Sequence, residues 1–264
     1  MLAGVQIAKM KATTFLKDLK ATRGEERAYL ANFIVNFGRA AYLMHHTLAQ
    51  FRERRALMQE ATKNYVVSMA SCLETFYRDF LVYVLSLDET TLERILPELK
   101  GKTTYGDIHS LLKEGLTFSD IAVAEARFQS LAEIDSFMSR MLFPKNYLEE
   151  LSSFSLDCII PSRGKRGAMI LWKDWRLEFA SIFAHRHSLV HDANKPCTID
   201  FPEIQKLEAL ALTVPQITAE LVAQKFPVKG TLRGNGWPVL LLVEDVIAED
   251  WEFGVQGDAI EFTK

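Results

Sequence analysis

Across the first two thirds of the chain, apolar residues recur three and four positions apart, while glycine and proline are scarce. A face renewed every 3.6 residues is how a helix buries one side, so this pattern confines most of the chain to an all-α class. Residues 25–59 suit one long amphipathic helix, with Leu30, Phe33, Ile34, Phe37, Ala41, Leu43, Thr47 and Phe51 on its apolar face and Gly38 at a bend. Residues 64–87 suit a second, whose seam is Val66, Met69, Leu73, Phe76, Phe80 and Tyr83. Shorter helices are expected at 92–99, 107–113, 119–126 and 132–141, the third capped by Ser119 and Asp120.

The rhythm stops at residues 159–167, IIPSRGKRG, where Pro161, Gly164 and Gly167 interrupt it. A further helix is expected over 168–190, ending before Pro196, with Asn194 as a left-handed cap. Asp200 should cap a helix over 202–225, which Pro215 kinks or splits. After Pro227 three glycines precede the run Val239-Leu240-Leu241-Leu242-Val243, followed by Glu244, Asp245, Glu249, Asp250 and Glu252. This predicts a helical domain over 1–226 and a small strand-containing appendage over 227–264, packed on or swapped between helical bodies.

A chain of 264 residues can bury a sizeable core. Its net charge of −3 excludes a histone-like polycation without excluding an enzyme that holds RNA through a local patch. Three scattered cysteines form neither a disulfide framework nor a zinc module, which points to a reducing compartment. The lysine-studded N-terminus does not read as a signal peptide, and no stretch reaches the roughly 18 apolar residues of a membrane span. A cytoplasmic protein with no membrane partner is expected. Phosphate-cradling glycine loops and the GxSxG elbow are absent, and no cofactor is implied.

Three of the six histidines, His185, His187 and His191, fall within seven residues. Their helix has a seam at Trp172, Trp175, Phe179, Ile182, Arg186 and Leu189, so Arg186 stands where the pattern expects an apolar side chain. A guanidinium there needs a carboxylate, a phosphate or a partner chain to receive it. His187 and His191 are four apart and share a face. Two plainer readings stand beside a functional one. Basic residues favour a helix C-terminus, and the HxxxH spacing suits two ligands of a metal.

The run Arg186-His187-Ser188-Leu189-Val190-His191 resembles the Arg-x4-His motif of the HEPN superfamily, at the end of an apolar helix and before a short Asp/Asn turn. Residues 68–85, SMASCLETFYRDFLVYVL, resemble the helix that pairs with the motif helix in toxin- and defence-type members. The resemblance covers roughly residues 25–226. It implies a HEPN-type helical bundle and a metal-independent endoribonuclease, a toxin or antiviral-defence effector under an antitoxin or sensor protein. Two motifs would meet across a homodimer, which would make the Arg186 seam the subunit interface. His191 would be the acid/base, Arg186 the phosphate binder and His187 a supporting polar group, with Glu74 as partner of Arg186. The resemblance also admits a non-catalytic module that binds RNA, nucleotide or a partner protein.

Glu74 suits a solvated helix position or a local pair with Arg78 equally well. Arg163, Lys165 and Arg166 suit either a solvated loop or phosphate contacts. His45, His46 and His109 show no partners in sequence. The acidic tail would repel RNA, which suits it to shaping an interface or covering the site at rest.

Overall fold

A computed structural model describes residues 29–263, except 89, 92, 94–108, 110–111, 114, 118, 121–122, 124–125, 127, 143, 193–195, 248–251 and 257–258, and gives no side-chain burial beyond 250. The helices are α1 (Tyr29–Phe51), α2 (Arg55–Leu87), α3 (Leu131–Leu142), α4 (Tyr147–Ser153), α5 (Trp175–His191), α6 (Phe201–Ala223) and α7 (Val243–Val246). The strands are β1 (Leu156–Ile160), β2 (Lys165–Met169), β3 (Leu232–Gly234), β4 (Trp237–Pro238), β5 (Glu252–Gln256) and β6 (Ala259–Thr263). The molecule is mostly helical, with small sheets between and after its helices.

The long helix expected over 25–59 ends at Phe51, because the charged run Arg52-Glu53-Arg54-Arg55 has no apolar face to bury. Residues 55–59 instead begin α2, nine residues before the expected start at Asn64. Leu30, Phe33, Ile34, Phe37 and Ala41 are buried as the spacing predicts, but Leu43 is 66% exposed. Gly38 marks a close approach: a Cβ there would sit 2.9 Å from the Val246 carbonyl oxygen. All six residues of the α2 seam are buried, as is Tyr77 beside them, whose hydroxyl meets that of Tyr147. Tyr147 also meets the Thr218 hydroxyl at 2.7 Å, so a buried polar chain joins α2, α4 and α6.

The helices expected at 92–99 and 107–113 lie mostly outside the described residues. Ser119, Asp120 and Val123 are helical, but the cap is Thr117. Its hydroxyl accepts from the Asp120 N–H while the Asp120 carboxylate accepts from the Thr117 N–H.

The interruption at 159–167 is an antiparallel hairpin, and the helix expected from residue 168 begins only at Trp175. Alternating burial along β1, the donor missing at Pro161 and the left-handed Gly164 (φ 57°) favour strands over helix here. Asp200 caps α6, accepting from the Glu203 N–H, and α6 runs unbroken through Pro215. The Gln216 amide bonds both the Leu212 carbonyl and the backbone of Leu241, which fastens the C-terminal segment to α6.

Val239, Leu240 and Leu241 therefore enter the same core as the helices, while Val243–Val246 is a helical turn rather than strand. Backbone pairing joins β4, β3, β6 and β5 in that order, with β3 and β6 parallel. Asp245 is buried, bonding the Leu242 N–H and Ser162, so it has a structural role and is not part of a repelling acidic surface. No helix of the described residues is long and apolar enough to cross a membrane.

Candidate functional site

Helix α5 packs on α2, α6 and α3. Trp175, Phe179, Ile182 and Leu189 of the expected seam are buried, whereas Trp172 precedes the helix and bonds Glu178 at 40% exposure. This seam faces inward within one chain, so it is not the subunit interface that the sequence suggested. Arg186 is received by Glu74 of α2, with Nη2 3.4 Å from Oε1.

That pairing is electrostatic only. Glu74 Oε1 and Arg186 Nε are enclosed and hydrogen-bonded to nothing, and the guanidinium makes no hydrogen bond with any described residue. A bidentate Arg–carboxylate fork would have occupied its donors; this contact leaves them uncommitted. Burial pushes the Glu74 carboxyl above its usual range, against the opposing pull of Arg186 and Arg78. Of the two pairings considered for Glu74, the contact is with Arg186.

Immediately beyond Arg186, His187 and His191 are exposed, with ring centroids 4.3 Å apart. His185 points elsewhere, 3.2 Å from Glu203 of α6. The three clustered histidines thus divide into an exposed pair and one that joins two helices. Among the described residues, no group of three His, Cys, Asp or Glu side chains is placed to hold a metal ion.

The last turns of α5 carry two contacts, Arg186 with Glu74 of α2 and His187 with His191. Arg163, Lys165 and Arg166 lie on the hairpin, which meets the C-terminal segment through Leu240 and Asp245. The Arg166 guanidinium lies 3.9 Å from the Trp237 ring centroid, and Arg163 borders a cavity with His45 and Glu208. Comparison of the chain with family models, curated proteins and solved structures gave no significant match in any of the three.

One cluster escaped the sequence reading. His45 Nε2 and the Tyr65 hydroxyl both donate to Glu208 Oε1, at 2.8 and 2.5 Å. Glu208 is 2% exposed, and its bond holds His45 above the ordinary histidine pKa despite partial burial. The available signal was Glu208 itself, a lone carboxylate in the apolar run Leu207-Glu208-Ala209-Leu210.

Proposed function

We propose that this chain is a metal-independent endoribonuclease that cuts RNA at the Arg186–His191 end of α5, in a composite site formed by two copies, as a toxin or antiviral-defence effector. One observation carries the reading: a three-quarters-buried guanidinium beside Glu74, with no hydrogen bond among the described residues, next in sequence to two exposed histidines at a helix end.

The chemistry follows from these groups. The RNA 2′-hydroxyl attacks the adjacent phosphorus, the 5′-oxygen leaves, and a 2′,3′-cyclic phosphate remains. One proton must leave the 2′-hydroxyl and one must reach the 5′-oxygen, and histidine titrates near neutral pH. Two copies of His191 supply one acceptor and one donor. Arg186 offers its free donors to the phosphate oxygens as charge builds there. Glu74 positions Arg186 from α2, and His187 adds a second ring beside His191.

The exposed side of α5 supports a two-copy site. Leu177 (77% exposed), Ala184 and His191 recur seven apart, and no charged side chain stands among them to resist a second helix. The test is incubation of purified protein with total RNA in chelator. The parent should cut. Arg186→Ala should lose ~10²–10³-fold in rate, as for loss of one transition-state donor, and His191→Ala ~10²–10⁴-fold, both remaining folded by circular dichroism. Two variants cutting at the parent rate would remove the assignment.

A further inference from the structure

Glu208 lies at a cavity of about 290 Å³, near the small end of ligand sites. Both of its hydrogen bonds, from His45 and Tyr65, go to Oε1. Oε2 has no partner among the described residues, nor is it among the enclosed, unbonded side-chain atoms, which are Tyr29 Oη, Glu74 Oε1 and Arg186 Nε. A carboxylate oxygen on a 98%-buried residue therefore keeps its lone pairs open to the cavity. Burying an acceptor in that way is costly unless a donor reaches it.

Charge decides the class of donor. Glu208 already has His45 as a donor, and Arg163 borders the same cavity, so an added cation gains little. Oε2 and Glu244 disfavour an anion. What fits is a neutral group with N–H donors. The walls are partly apolar: Leu212 of α6 and Leu242 and Val243 of the C-terminal segment line the cavity, with Gln205 and Thr213 able to give or accept hydrogen bonds. We infer that this cavity binds a nucleobase, its N–H edge on Glu208 Oε2 and its faces between α6 and the segment that begins α7. The site is distinct from the Arg186–His191 end and does not rest on the proposed cleavage.

A free nucleoside and a base within a strand share this chemistry. The full chain is titrated by calorimetry with guanosine, adenosine, cytidine and uridine, with a single-stranded 2′-deoxy oligonucleotide, and with agmatine and inorganic phosphate as cation and anion. The expected result is saturable binding of at least one nucleoside, or of the oligonucleotide alone if the base is taken from a strand. Glu208→Gln should weaken it by 10-fold or more. Ala209→Phe fills the cavity from a half-exposed position and should abolish binding in a protein that circular dichroism shows to be folded. The inference is overturned if neither nucleosides nor oligonucleotide bind, if agmatine or phosphate alone binds, or if folded Ala209→Phe binds as the parent does.

Discussion

At the scale of single residues, the pair Arg186–Glu74 shows how a local oddity is resolved by a distant helix. The spacing revealed an arginine in an apolar seam, and the structure supplies its counter-charge from α2. Removing Glu74 strands a largely buried guanidinium, so Glu74→Ala should cost about 1–3 kcal/mol in urea unfolding. It should also lower kcat on the order of 10–100-fold with KM little changed, because Arg186 loses its position rather than its charge. Glu74→Gln separates charge from shape. Because burial raises the Glu74 carboxyl, the folded state holds its proton more tightly than the unfolded chain does. That contribution is fully present below the unfolded pKa and is lost as pH rises through the folded one. The parent should therefore lose stability relative to Glu74→Gln as pH rises above the ordinary glutamate range, and parallel melting curves would show that burial does not outweigh the pairing.

At the scale of elements, periodicity made the helices legible and missed what contacts decide. The α2 seam could be read because every third or fourth side chain is buried. The hairpin at 156–169 could not, since five-residue strands are too short to separate from helix ends by period alone. Nor could the His45–Glu208 bond be read, which joins residues 163 positions apart. The motif residues were found because they are adjacent in sequence, and their partner Glu74 was located only through the family likeness. Helix α5 also carries a testable face. Leu177→Glu alters a residue that makes little contact within its own chain, so melting should barely change. Across a dimer it would place like charges on a helix pair, and sedimentation should show dissociation together with loss of cleavage. Monomeric Leu177→Glu that cuts at the parent rate would rule out the two-copy site.

For the whole molecule, the C-terminal segment is continuous with the core, since Leu232 and Val239–Leu241 pack with the helices and Gln216 holds Leu241. Deleting residues 228–264 would thus unseat the core and report little about whether the tail covers a site. The organisation places two polar centres in one body: the Arg186–His191 end of α5, and the Glu208 cavity between α6 and the C-terminal segment. The first carries the central claim, and the identity of the cut ends tests it most directly. The purified chain is given one oligoribonucleotide and its 2′-deoxy counterpart in chelator, and the products are weighed by mass spectrometry. Cleavage of the RNA alone, leaving 2′,3′-cyclic phosphate and 5′-hydroxyl ends and vanishing in Arg186→Ala and His191→Ala, is the predicted result. No cleavage, or cutting of the deoxy strand, or 5′-phosphate ends would contradict it.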